Sequence, residues 1–247
     1  EIMPSLVGSE MCIRDRGKIM LDNNKIYTAE EVYKSILKRI IKLELEPGQL
    51  ISENQMCIDY GVSRSIIRSA FTKLSQLKFV EVRPQRGTYV TQIDLNYISD
   101  LLMLRTAVEK EVIYEMFTKL DESARLELVK KLEKNIEEEE KYIDEKTYSR
   151  KFGILDSEFH KTMIDSVNRY ALVIILSDIM LHISRWRNFD VKFANRIHEL
   201  VEEHKNIVNG IKSNDLYKAQ ECMAAHLETI TDIYESAIKP VSYTHLT

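Results

Sequence analysis

Four polar side chains in the second half of the sequence fall where helical spacing would bury them, and all four are of metal-ligating types. Ile197, Val201, His204, Val208 and Ile211 recur at helical intervals, with His204 at the centre of the stripe. Leu216, Ala219, Met223, His226, Ile230 and Ile233 do the same around His226. Asp156 and His160 stand one turn apart, flanked by Leu155, Phe159 and Met163. Burying such groups unpaired costs on the order of a few kcal/mol each, so each needs a partner, and the nearest candidates are one another. Three imidazoles and one carboxylate converging inside a helical bundle suit Zn²⁺, with Ni²⁺ or Mn²⁺ as alternatives, and leave positions for water or a ligand. For each histidine alone the other reading is a hydrogen-bonded core residue, and Asp156 and His160 could form a local pair. The run HELVEEH (198–204) is not a zinc-protease motif, because its histidines are six apart and do not share a helix face. Cys222, one turn before His226, reads as a core residue.

Three arginines bear on an anionic ligand. Arg105 lies on the stripe Ile98, Leu101, Arg105, Val108, Val112 and is expected to point inward. Its partner is either Glu109, one turn on, or the carboxylate of a bound effector. Arg185 and Arg187 fall near a helix C-terminus, where they answer the macrodipole, with effector binding as the alternative.

A different chemistry is suggested near the start of the chain. Arg64 and Arg68 share a helix face, where a guanidinium can fork onto guanine or a phosphate. Ser63 and Ser65 beside them suit phosphate or base-edge hydrogen bonds, and Arg86 with Gly87 lies at a hairpin tip. A solvated basic helix face is the competing reading of the arginines alone. Residues 27–91 hold 10 Lys/Arg against 7 Asp/Glu, whereas the whole chain carries a net charge of −4. The basic surplus is thus local, as expected if one face meets phosphates while the remainder does something else.

The elements that must position these residues divide the chain in two. Residues 28–43 begin with a Thr28 N-cap and place Val32, Ile36, Ile40 and Leu43 on one stripe. Pro47-Gly48 stops that helix. Ser52 caps a second at 53–59, and Gly61-Val62 turns into a third at 64–77 with Ser63 as N-cap. Alternating runs at 79–83 and 87–91, joined by Pro84-Gln85-Arg86, predict a β-hairpin. From 92 to 239 there is no proline and only Gly153 and Gly210, so this half reads as helical. Six helices are expected, near 95–119, 122–143, 147–166, 169–188, 191–212 and 215–238. The fold class is therefore mostly α: a winged helix-turn-helix at 27–91 and a six-helix antiparallel bundle at 95–239. The ends, EIMPSLVGSEMCIRDR (1–16) and VSYTHLT (241–247), resemble translated sequencing-adapter read-through and are expected to be non-native.

The segment 31–90 resembles the DNA-binding domain of GntR-type regulators, most clearly in PGQ, SEN, GVSRSIIRSAFTKL and QRGTYV. The resemblance implies a recognition helix in the major groove and a wing tip in the minor groove, with Ser63, Arg64, Ser65, Arg68, Arg86 and Gly87 as DNA contacts. This sequence departs from the pattern at Asn54, where an arginine is usual, at Gln85, where a glycine is common, and at Ile66, where proline is usual. LDSEFHKTMIDSVNR, EEHKNIVNGIKSND and AQECMAAHL are similar to the FCD ligand-binding domain of the FadR class, in its VanR-like branch. That resemblance implies a divalent metal on Asp156, His160, His204 and His226, holding a small organic-acid effector. It also implies a homodimer joined through the C-terminal helices, reading a short palindromic operator.

Three functions compete. A ligand-responsive DNA-binding regulator, most simply a repressor, uses both halves. A metal-dependent hydrolase would leave the first half unexplained, and no general base or nucleophile motif accompanies the cluster; the expectation is that the protein is not an enzyme. A regulator for which the ion is itself the signal is the third. No apolar run approaches the ~20 residues of a membrane span, and three scattered cysteines give no disulfide framework. A cytoplasmic protein is expected.

Overall fold

A computed structural model describes residues 27–145, 148–189 and 196–237. The terminal segments 1–16 and 241–247 lie outside the described residues, as do the first residues of the helix expected at 191–212 and the side chains of Ile230 and Ile233.

Helix α1 (Ala29–Ile41) starts at a reciprocal cap: the Thr28 hydroxyl accepts from the Glu31 N–H, and the Glu31 carboxylate accepts from the Thr28 N–H. Val32, Ile36 and Ile40 are buried as expected. The helix ends before Leu43, which adopts a left-handed φ of 61° and leaves the stripe. The N–H groups of Glu44 and Leu45 then close on the Arg39 carbonyl, and Leu45, only 2% exposed, takes the core position instead.

Helix α2 (Glu53–Tyr60) is capped by Ser52 and closed by Gly61 at a left-handed φ of 61°. Helix α3 (Arg64–Gln76) follows directly. Ser63 has the backbone of an N-cap, but its hydroxyl pairs with that of Ser65 at 2.8 Å rather than capping the helix. Strands β2 (Val80–Arg83) and β3 (Gly87–Val90) form the hairpin, and the short β1 (Leu50–Ile51) adds to its other side in the order β1-β3-β2, all antiparallel. β1 was not expected, since two residues carry no readable alternation. Ile36, Ile40, Ile67, Phe71, Leu74 and Phe79 anchor the first core.

The second half comprises α4 (Leu95–Lys119), α5 (Glu122–Glu139) with a 3-10 turn at Glu140–Tyr142, α6 (Arg150–Ser166), α7 (Tyr170–Phe189), α8 (Ile197–Lys212) and α9 (Leu216–Ala237). Asp94, Asp121 and Ser149 cap α4, α5 and α6 through their side chains. Phe152, Phe159, Ile183, Leu200, Ile207 and Met223 lie in a second, separate core. Gly210 brings α8 and α9 together: a Cβ there would stand 2.8 Å from the backbone N and Cα of Ala219. That close approach lets His204 and His226 share one site.

The two halves meet mainly through α7. Leu181 packs against the first core, and the Asn188 amide donates to the Ile41 carbonyl. His182 Nε2 donates to the Leu77 carbonyl at 2.9 Å, and its ring stacks on Phe79.

Candidate metal centre and nucleic-acid face

Asp156 and His160 come from α6, His204 from α8 and His226 from α9, all buried. One donor atom from each lies within 4.8 Å of every other. Each imidazole is braced from behind by a different carboxylate. His160 Nδ1 is 2.5 Å from Glu109, His204 Nδ1 is 2.8 Å from Glu139, and His226 Nδ1 is 2.8 Å from Glu203. A nitrogen facing a carboxylate carries the proton, so each Nε2 keeps a free lone pair.

Those lone pairs converge. His160 and His226 Nε2 stand 3.2 Å apart, and His204 Nε2 is 3.9 Å from Asp156 Oδ1. His204 Nε2 and Asp156 Oδ1 are buried without a hydrogen-bond partner among the described residues. Two lone pairs cannot bond each other, whereas one cation satisfies both. Two nitrogens each about 2.0–2.1 Å from a common ion would lie roughly 3 Å apart, close to the separation of His160 and His226. The donor set therefore fits a divalent metal. Phe159 stacks on His204 with ring centroids 4.0 Å apart and closes one side of the site.

The electrostatics favour the ligating forms of His160, His226 and Asp156. Burial pushes the His226 pKa well below its ordinary value, aided by the charges of His204, His160, Arg105 and Arg187. Burial also lowers His160, against the opposing pull of Glu109. Burial acts to raise Asp156, but Arg187, His160 and His204 prevail and keep it ionised. Glu109 is likewise opposed by burial yet held at about 2 by Arg105 and His160. Glu139 moves upward, because its burial outweighs its bond to His204. Neutral imidazoles with an anionic carboxylate are the states a metal requires.

The structure separates the three arginines. Arg105 pairs with Glu109 at 2.6 Å, while its Nη1 is buried without a hydrogen-bond partner among the described residues. Arg187 Nη1 reaches Asp156 Oδ2 at 3.3 Å and Tyr148 Oη at 3.2 Å. Arg185 points away from the cluster, donating to the Thr91 carbonyl at 2.5 Å and the Thr91 hydroxyl at 3.1 Å. The macrodipole reading of Arg185 and Arg187 does not hold: both are buried and their guanidinium groups bond to named acceptors. Nor do Asp156 and His160 pair locally, since their partners are Arg187 and Glu109.

Glu139, Glu203 and Tyr148 were not anticipated. Glu139 sits in an acidic run (137–140), yet it continues the buried stripe Leu128, Leu132, Ile136 at helical spacing; that periodicity was the available signal. His198 is exposed, and Cys222 packs at the edge of the core, outside the cluster.

On the first half, Ser63, Arg64, Ser65, Arg68, Arg86 and Gly87 are all exposed. Arg68 Nε is tied to Glu53 on α2 at 3.0 Å and remains largely solvent-accessible. At the hairpin tip, Gln85 adopts a left-handed φ of 61° and Gly87 one of 105°; the Tyr89 hydroxyl donates to the Arg86 carbonyl at 3.1 Å. Gln85 thus holds a conformation that glycine adopts more readily.

Residues 28–90 match the GntR family of bacterial regulatory proteins, and residues 100–229 match the FCD domain. The chain is a GntR-family regulator of the FCD type. It is 24% identical over 204 residues to the HTH-type transcriptional repressor RspR of Escherichia coli K12, covering 82% of this chain and 87% of the relative. It is 28% identical over 204 residues to the HTH-type transcriptional regulator LutR of Bacillus subtilis, covering 77% and 93%. Among solved structures, a GntR-type regulator from Rhodococcus sp. RHA1 superposes with a TM-score of 0.60 at 21% identity, covering 85% of this chain and 99% of that one. Escherichia coli McbR/YncC gives 0.59 at 16% identity, covering 86% and 100%. The regulator binds DNA and controls transcription; its relatives are regulators, not enzymes. Among the described residues no helix is long and apolar enough to cross a membrane.

Proposed function

We propose that the regulator is a repressor whose operator affinity is set by a small carboxylate effector bound at a divalent metal on Asp156, His160, His204 and His226. The observation that carries this reading is the bracing of all three imidazoles by separate carboxylates, which aims their lone pairs at one point beside Asp156. Zn²⁺ suits three imidazoles and a carboxylate; Ni²⁺ and Mn²⁺ are accommodated by the same donors. When bound, the ion would offer open coordination positions to an effector carboxylate. Arg105, with its buried Nη1 lacking a hydrogen-bond partner, would supply a second contact, and Arg187 orients Asp156.

Ser63, Arg64, Ser65 and Arg68 would read the major groove of a short palindrome, with Arg86 and Gly87 at the neighbouring minor groove. A palindrome calls for a homodimer. Exposed apolar side chains on α4 and α7, among them Met103, Leu104, Tyr170 and Ile174, support an interface through the helical half. Effector binding between helices would then change the spacing of the two DNA-reading heads. The two described cysteines are free, in keeping with a reducing cytoplasm.

The test is a thermal-shift screen of small organic acids with and without prior chelation. A metal-dependent rise in Tm for one acid class, accompanied by altered operator binding, is the expected result, because a ligand of the native state stabilises by mass action. If no acid shifts the Tm and chelation changes nothing, the histidines are structural and the proposal fails. If chelation alone switches operator binding, the ion is the signal and the carboxylate effector is excluded.

A further inference from the structure

A cavity of about 260 Å³ lies where the winged helix meets the helical half, on the side of α7 facing away from the metal cluster. Lys78 and Thr91 line it from the first half; Tyr97, His182 and Arg185 line it from the second. Arg185 is 3% exposed, and Thr91 supplies its only hydrogen-bond acceptors among the described residues. Among the described residues its Nε is buried with no acceptor, and no carboxylate pairs with it. Arg105 and Arg187, equally buried, each have a carboxylate. Asp94 is the cavity's sole carboxylate, and it is engaged in capping α4, accepting the N–H groups of Asn96 at 3.0 Å and Tyr97 at 3.2 Å.

Among the described residues the positive charge of Arg185 therefore has no counter-ion, an arrangement that is costly to bury. Burial alone pulls its pKa down to about 10. Lys78 adds a second cation at the same place, its Nζ lying 4.4 Å from the centre of the Tyr97 ring; burial lowers the pKa of the adjoining His182, and the charges of Arg185 and Lys78 add to that. We propose that this cavity is a second ligand site, distinct from the metal centre, which takes a small oxyanion (a carboxylate or a phosphate group) between Arg185 and Lys78. The volume lies just below that of drug-sized pockets and admits a small ligand. Because its walls come from both halves, the anion is linked to their relative placement and so to the presentation of α3 to DNA.

Trp186 is the single tryptophan of the chain and follows Arg185 in a buried position on α7, so its emission serves as the readout. The experiment titrates inorganic phosphate and, separately, acetate into the metal-loaded full chain at constant ionic strength, with chloride as the control. A saturable change in emission with at least one of the two is expected, and which of them acts identifies the anion. Losing a charge-assisted bond weakens binding by about tenfold or more, so Lys78→Ala, at an exposed position, and Arg185→Gln should both lose affinity to that extent. His226→Gln, which disables the metal centre, should retain it. Binding that survives Lys78→Ala unchanged, disappears in His226→Gln, or is matched by chloride would overturn the junction site. Loss in His226→Gln would place the anion at the metal centre instead, in line with the proposed function, whereas the other two outcomes leave that reading untouched.

Discussion

The winged helix buries a single polar residue, Thr88, among those described, whereas the helical half buries ten charged or histidine side chains. The first half thus places its chemistry outside: an apolar core holds α3 and the hairpin rigid while Ser63, Arg64 and Arg86 face solvent. The second half places it inside, where each imidazole of the cluster has a carboxylate brace. An exposed contact face can change residue by residue without disturbing the fold. A buried cluster ties stability to function, because removing one member leaves another charge or lone pair uncompensated.

This contrast is sharpened by three substitutions. The largest effect is expected for Phe71→Ala in the first core, at about 3–5 kcal/mol of destabilisation from lost burial and a residual cavity. Denaturant unfolding should show the loss in the winged helix, together with weaker operator binding, while the bound-metal stoichiometry stays unchanged. Equal loss of metal would mean the two halves unfold as one unit and would break the comparison. Glu139→Gln should come next: it removes the charge behind His204, and outer-sphere partners of this kind are worth about 10–100-fold in metal affinity. Competition against a chromophoric chelator reads this directly, and an unchanged affinity would mean that the charge of Glu139 does not support metal binding through His204. The smallest effect on the fold is expected for Arg64→Ala, which should weaken operator binding by about 1–3 kcal/mol. Its melting curve should remain within about 0.5 kcal/mol of wild type, as for other exposed positions. A large stability loss would show that the face is structural rather than a surface for DNA.

Much of the architecture follows from local signals. The caps at Thr28, Ser52, Asp94 and Asp121 and the turn at Gly61 act within a few residues of themselves, so the helix starts were legible. Leu43 was misplaced because its φ is decided by how the Arg39 carbonyl is satisfied, not by hydrophobic spacing. The site was readable to the extent that a histidine on an apolar stripe must be buried: the positions of His204 and His226 are visible in periodicity alone. Glu139 was hidden by its neighbours in an acidic run, although it continues the same kind of stripe.

By itself the sequence determined that the four side chains of metal-ligating type would be inside and the arginines proposed to read DNA outside. Helical period and capping place Asp156, His160, His204 and His226 inward, and the order of elements places Arg64 and Arg86 outward on a winged helix. Only the tertiary structure decided what those side chains meet. Arg185 and Arg187 are two residues apart on one helix, so their side chains leave it in different directions. Arg187 meets Asp156 at the metal cluster, and Arg185 meets Thr91 at the junction with the winged helix. Spacing within a helix can predict that divergence, but the partners are supplied by other elements, and their arrival depends on how close Gly210 lets α8 and α9 pack and on where α7 crosses the first core.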